Sequence, residues 1–463
     1  MSGQTGITRR WMLGTGAGAA TLAVTACGTA SSGGTAGQPA GASKPQGTLV
    51  IMSRADQSIL DLFKAQVAAF QQENPAIQIQ IDHQDQAAWL EKFKTMSAAG
   101  TPLDSCFAND SNAVPFARDG LTEDLEPYFA RTKEFKEADF ADGAWFAMRY
   151  KGKRYGVPWD SGAYALFYNM DLLDASGVPY PDPKKRLNWD ELLTISRRLT
   201  IDTNGRRAGE SGFDPRSVKQ VGLATNFTWG LATFVHSNGG EMLSADGKVL
   251  LDQPLAIEAL QFLADMGAKH FARQAPQYTP NPNPIAFRSN NLAIDHNGAW
   301  QIGRYATDVK RVGVAPAPVK KTGVSSGHYS PLVMTRHSKN KDAAWAWMAF
   351  STLSEKGLTI LSDAGQIQPP RKSLTQRFVN PPGNNRVEGK YRQVFADELA
   401  NKDFRVTGDK NGTYWGGIPG WGPTLSTIIT PVLRGEKSAA SVAGDIKKYV
   451  EQHLTTLQAP VLQ

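Results

Sequence analysis

Apolar positions change their rhythm along the chain. An uncharged run from Trp11 to Ala26 comes first, and short alternating or helical patterns follow. Leu49-Val50-Ile51-Met52 predicts a short buried strand. Ile59, Leu60, Leu62, Phe63, Val67 and Phe70 then recur at helical spacing, and Pro75 closes that helix. Ile77, Ile79 and Ile81 alternate with polar residues, which predicts a second strand. Trp89, Leu90, Phe93 and Met96 form another helical face, and Leu103 to Ala108 reads as a third strand. Strands alternating with helices predict an α/β fold with a largely parallel sheet under helices. The pattern resumes downstream. Asn188 with Glu191 makes a capping box ahead of Leu192, Leu193 and Ile195. Pro254 suits the first turn of a helix bearing Ile257, Leu260 and Leu263. Ala343 to Phe350 is a further helical face, whose Trp345 and Trp347 are expected in the core. Pro276 to Pro284 reads as a loop and Arg197 to Lys219 as a basic surface excursion. No internal repeat is visible.

The first run is too short for the ~20 residues of a spanning helix, and it is rich in Gly and Ala. With Arg9-Arg10 ahead of it and small residues behind, it reads as an export signal over residues 1–26. The arginine pair resembles a twin-arginine leader. Val24-Thr25-Ala26-Cys27 resembles a bacterial lipobox, which implies cleavage before Cys27 and a lipid on its thiol. A plain cleavable signal with an incidental cysteine is the alternative. Residues 27–47, mostly Gly, Ser, Thr, Ala and Pro, cannot bury a core and read as a tether reaching about 25 Å. If Cys27 carries a lipid, Cys106 has no disulfide partner; its apolar segment predicts a buried, unreactive thiol.

The length of 463 residues suits two lobes of roughly 150–200 residues each. Net charge is +7, two units of it in the leader, and no run of Lys or Arg builds a stripe for nucleic acid. The glycines at 14, 16 and 18 lie in the leader with no strand before them, so they form no dinucleotide loop. The chain has no Gly-x-Ser-x-Gly elbow, phosphate loop or His-Glu-x-x-His motif. Asp295 and His296 are adjacent and point apart on a strand, as do Asp82 and His83, so no metal is expected. No cofactor and no catalytic residue is expected either.

Five ordered blocks carry a family resemblance. Ala98-Ala99-Gly100-Thr101-Pro102-Leu103-Asp104 is the first, and Phe116 to Leu121 with Leu125 the second. The third is Gly152-Lys153-Arg154-Tyr155-Gly156-Val157-Pro158 followed by Ala165 to Leu172. Asn188-Trp189-Asp190-Glu191-Leu192 and Asn291 to Trp300 complete the set. From about Thr48 onward the chain resembles the family 1 extracellular solute-binding proteins of ABC importers, the group that includes the maltose-binding protein. The resemblance implies a two-lobe periplasmic-binding-protein fold of type II, with a ligand cleft between lobes joined by crossing segments. Lobe one would cover 48–160 plus 330–377, and lobe two 161–329 plus 378–463. Crossings are expected near Trp159-Asp160-Ser161 and Tyr329-Ser330, with a return after Arg371. The implied partners are a carbohydrate, the permease subunits and the membrane through the lipid on Cys27, on the outer face of the cytoplasmic membrane. The protein would be a monomer and not an enzyme.

Sugars offer apolar ring faces and polar edges, so their sites need aromatic planes with Asp, Asn and Arg beside them. Trp159, Trp229, Trp300, Trp415 and Trp421 are the aromatic candidates, set against the general tendency of tryptophan to fill cores. Arg54, Asp56, Asp110 and Asn112 follow the first and third strands, where open α/β sheets bind ligands. Asp110 has a helix N-cap as its alternative and Arg54 a surface ion pair. Gln86, Trp89, Asp160, Asn238, Tyr329 and Arg371 complete the candidates. Asn226 and Phe227 stand where maltose-type relatives carry acidic residues, a departure from a maltose pattern. Three other readings remain beside sugar transport: another polar solute such as a polyol phosphate, a secreted carbohydrate-active enzyme, and a receptor that only signals.

Overall fold

The computed structural model describes residues 45–458, apart from 55–56, 86–87, 142, 146–147, 226, 245–247, 271–286, 384–385 and 407–422. β1 (Gly47–Ser53), α1 (Gln57–Glu73), β2 (Ile77–His83), α2 (Trp89–Ala99), β3 (Ser105–Phe107) and α3 (Asp110–Arg118) follow the alternation that the apolar pattern predicts. β1 lies parallel to both β2 and β3. α2 stops at Gly100, whose left-handed φ of 65° lets its N–H bond back to the Met96 and Ser97 carbonyls. The third strand is shorter than the apolar run, because Asp104 is diverted: its carboxylate accepts from Val50 N–H and from Ser338 Oγ.

α4 (Glu126–Phe129) and the hairpin β4 (Arg149–Tyr150)–β5 (Lys153–Arg154) lead into β6 (Val157–Asn169), buried along all 13 residues. Then come α5 (Met170–Ala175), α6 (Trp189–Leu199), β7 (Ile201–Asp202), β8 (Val218–Thr225), α7 (Phe227–Ser237), α8 (Pro254–Ala268), β9 (Leu292–Gly298), α9 (Ile302–Asp308) and β10 (Val312–Pro316). α6 carries the capping box of Asn188 and Glu191. The basic excursion before β8 is tied down, since Asp202 accepts from the N–H groups of Asn204, Arg206 and Asp214. The loop expected at Pro276 to Pro284 lies outside the described residues. β11 (Ser325–Met334) turns back, followed by α10 (Lys341–Thr352) and α11 (Glu355–Ala364). α12 (Thr375–Val379), α13 (Gly389–Leu399), β12 (Phe404–Val406), α14 (Pro423–Leu433) and α15 (Ala439–Gln458) end the fold.

The strand order is β2-β1-β3-β11-β6-β9-β8-β7, with β10 on β6 and β12 on β11. Two separate cores flank this path. One collects Leu49, Phe63, Phe107, Val157, Leu332 and Trp347; the other collects Phe167, Leu223, Leu263, Ile294, Tyr391 and Ile446. Trp345 and Trp347 are buried in the first, as their helical spacing predicts. Consecutive stretches of β6 belong to different cores: Val157 and Trp159 to the first, Ala163 to Tyr168 to the second, while the core residues of β11, Tyr329 to Met334, all join the first. Between the cores the two strands pair antiparallel, from Gly327 opposite Ala163 to Leu332 opposite Val157, with a bulge between Ser330 and Pro331. Proline has no N–H for a ladder, so a bulge is where it fits. A third segment joins them where Gln368 bridges to Ser161. No helix among the described residues is long and apolar enough to cross a membrane.

Candidate functional site

The paired stretch of β6 and β11 has two faces, and pleat parity assigns residues to them. Residues directly opposite in an antiparallel pair share a face, and neighbours along a strand alternate. Gly162 opposite His328 and Asp160 opposite Ser330 therefore share one face. Trp300 lies on that face. A Cβ at Gly162 would sit 2.5 Å from His328 Cε1 and 2.8 Å from Trp300 Cε3, and one at Gly298 would sit 1.7 Å from the Trp300 ring. These glycines are there for space: the indole occupies what their side chains would fill. Trp300 meets His328 edge-on at 4.5 Å and Tyr164 at 5.8 Å. It remains half-buried, although it follows β9 of the second core and packs against the first.

The carboxyl ends of β1 and β3 meet the same crossing. Arg54 donates through Nη2 to the Ala108 carbonyl at 3.1 Å and to Ser330 Oγ at 3.3 Å. Its guanidinium lies 4.6 Å over Phe107 and 5.8 Å over Trp89, a cation–π setting that holds it in place. Asp110 accepts from Tyr329 N–H at 3.2 Å, and Asp160 accepts from Ser330 N–H at 2.8 Å. Two carboxylates and a guanidinium thus converge on two consecutive residues of one crossing strand.

Across the hinge, β8 and β9 bring Thr225 opposite His296, with Thr225 Oγ1 and His296 Nδ1 2.9 Å apart. Burial holds the His296 imidazole down to about 3, so it is neutral. Asp295 points the other way. Burial pushes its carboxyl up to about 6, although the Tyr305 hydroxyl and the Asn297 amide donate to it and pull it down. The folded chain keeps that proton up to about pH 6, while the unfolded chain releases it near 3.8. Stability therefore falls as pH rises through that window, by roughly 3 kcal/mol in all. Asp295→Asn retains the acceptor without the charge. Thermal melts should show it stabilised at about pH 7.5, with a gain several times smaller at about pH 4.5. An equal gain at both would mean that the carboxyl is not the cause.

Of the residues singled out from the sequence, Arg54, Trp89, Asp110, Asp160 and Trp300 gather at this crossing, and Asn112 lies two residues further along α3 from Asp110. Arg54 is buried and not a surface ion pair, and the N-cap of α3 is Asn109, not Asp110. Four expectations are corrected. Trp159 is wholly buried in the first core against Phe63 and Phe107, its indole N–H bonded to Gln66 and Ser351, so it has no face for a ligand. Tyr329 alternates to the opposite face and is fully buried beside Phe404. Asn238 is buried at the end of α7, where its amide holds the Leu255 carbonyl and Glu258. Arg371 is paired with Asp139 and donates to the Leu353 carbonyl. Trp229 lies in α7, not in a loop, and its side chain is outside the described residues. Cys27, Asp56, Gln86, Trp415 and Trp421 also lie outside them. Cys106 is buried as expected, and burial pushes its thiol up. The sequence missed His328, Tyr164, Thr225 and His296; only strand register brings them here.

A family model described as bacterial extracellular solute-binding protein matches residues 56–357. A putative binding protein of Brucella abortus is 27% identical over 293 residues, 61% of this chain and 66% of that protein. A maltotriose-binding protein of Pyrococcus abyssi is 25% identical, covering 74% of this chain and 68% of its own. Among solved structures, an ABC substrate-binding protein of Listeria monocytogenes in complex with cycloalternan superposes with a TM-score of 0.76 at 19% identity. The match covers 89% of this chain and 99% of that one, which establishes the two-lobe fold.

Proposed function

The chain belongs to the bacterial extracellular solute-binding protein family, and from that membership we propose that it is the ligand-capturing component of an ABC importer, holding a mono- or oligosaccharide between its lobes and presenting the closed form to the permease. One observation carries the sugar reading. Trp300 comes from the second lobe, rests on the first across a glycine-cleared hinge face, and stays half-buried among polar groups. An indole with His328 against it, over a strand face that also carries Asp160, matches the amphipathic surface of a pyranose. Trp300 is the stacking platform. Arg54, Asp110, Asn112 and Asp160 are the polar partners from lobe one, with Trp89 behind Arg54. Asp56, Gln86, Trp229, Trp415 and Trp421 join the proposal on sequence grounds.

Lobe one is 48–160 plus 330–377 and lobe two 161–329 plus 378–463, a division that the two cores favour. Residues 1–26 export the chain, Cys27 carries a lipid, and residues 28–47 tether a monomer to the outer face of the membrane. The ligand is captured and released without a bond being broken, a reading that rests on membership of a binding-protein family. The test is a thermal-shift screen of the chain from Pro45 on, with mono- and oligosaccharides, polyol phosphates and amino acids. A ligand at 100 times its Kd adds about 2.7 kcal/mol, a shift of several degrees. A shift confined to one sugar group is expected. A shift with a charged solute alone overturns the sugar reading, and turnover of a chromogenic glycoside overturns the non-enzymatic one.

A further inference from the structure

A pocket of about 450 Å³ opens on the opposite face of the hinge strands from Trp300. Its position follows from parity. Gly327 pairs with Ala163, and a Cβ on Gly327 would meet Phe404 Cζ at 2.7 Å. Phe404 therefore lies on the face of Ala163 and Tyr329, away from Gly162 and His328, and it lines this pocket. One wall is Ala141 and Gly143, next to the first core. The other is Ala396, Leu399 and Phe404, on α13 and β12. Gln368 fixes the junction of the walls: its amide donates to the Phe395 carbonyl and accepts from Ala163 N–H.

The charged side chains that line this pocket are cationic. Arg371, Lys372 and Lys402 line it, and no Asp or Glu does. Arg371 is paired with Asp139, which also accepts from Ser373, so Lys402 is the cation that the mouth offers to a ligand. Apolar walls with a lysine at the rim fit an apolar body with one negative head, since the walls gain by leaving water and the head is drawn to Lys402. We propose that this pocket is a second binding site, separate from the sugar cleft, for a small organic anion: a ring or short chain bearing one carboxylate.

Benzoate is the probe, with benzyl alcohol as its neutral counterpart, and calorimetry on the sugar-free chain from Pro45 is the readout; that stretch forms one compact unit. One benzoate per chain is expected, with benzyl alcohol much weaker. Lys402→Gln should weaken benzoate at least about tenfold, the lower end for one charge-assisted bond. Ala400→Trp fills the mouth from an exposed position, and it should abolish binding. Binding equal to wild type in both variants, equal binding of both probes, or none at all overturns the proposal. Because no sugar is present, the outcome does not depend on the sugar reading. With saturating sugar, the stoichiometry should stay at one benzoate; displacement to zero would place benzoate in the cleft and overturn the second site.

Discussion

Trp300→Ala is expected to weaken sugar binding by roughly 30- to 1000-fold, the range of about 2–4 kcal/mol for a tryptophan at the centre of a desolvated contact. The ring is oriented before a ligand arrives: Tyr164 and His328 meet it edge-on, and Gly162 and Gly298 leave it room. A platform ordered in advance loses little entropy on binding, so its removal costs the full stacking contact. Trp159→Ala supplies the contrast. That indole is wholly buried and bonded to Gln66 and Ser351, so its loss should cost about 3–5 kcal/mol of stability. Titration calorimetry and denaturant melts of both variants separate the two roles. Trp300→Ala should lose mainly affinity and Trp159→Ala mainly stability. The reverse pattern would move the site away from the hinge face that carries Trp300.

Local order was legible in the chain, and long-range register was not. The alternation at Ile77, Ile79 and Ile81, the helical stripe of Ile59 to Phe70 and the Asn188–Glu191 box are short-range signals, and each became the element it predicts. Trp345 and Trp347 could be placed in the core because a helical period surrounds them. Trp159 and Trp300 could not be told apart: each stands in a segment with small residues close by. What separates them is whether glycine or a packed ring lies across from them, and that depends on strands more than a hundred residues apart in sequence. Asp110 and Asp160 stood out as acceptors, yet the N–H groups they hold lie 219 and 170 residues away. Tyr329 was found by resemblance and His328, beside it, was not. Alternation put His328 on the ligand face and Tyr329 behind it, which only the pairing with Gly162 reveals.

Glu398→Ala is expected to destabilise the chain by about 3–5 kcal/mol, the cost of opening a buried ion pair from one side. Glu398 on α13 is 2% exposed. It accepts from Arg186 Nη2 at 2.8 Å, from Ser325 Oγ where β11 sets out toward the hinge, and from Ala317 N–H at 3.3 Å. Alanine takes this acceptor from all three, leaves the Arg186 guanidinium without its carboxylate, and opens a cavity at the second-lobe root of the crossing strand. Glu398→Gln should cost far less. Burial pushes the Glu398 carboxyl above the ordinary carboxylate range, outweighing Arg186 and the other donors that pull it down. A raised value means that the folded chain tolerates the protonated carboxyl better than the charged one, relative to the unfolded chain. Ionisation therefore lowers stability as pH rises above the ordinary range, and an uncharged acceptor of the same shape avoids that loss. The Gln variant should thus lose least, relative to wild type, at neutral pH and more at about pH 4.5. Denaturant melts of both variants at the two pH values decide whether the acceptor or the charge holds the root of β11. A Gln variant as unstable as the Ala variant at neutral pH would give that role to the charge.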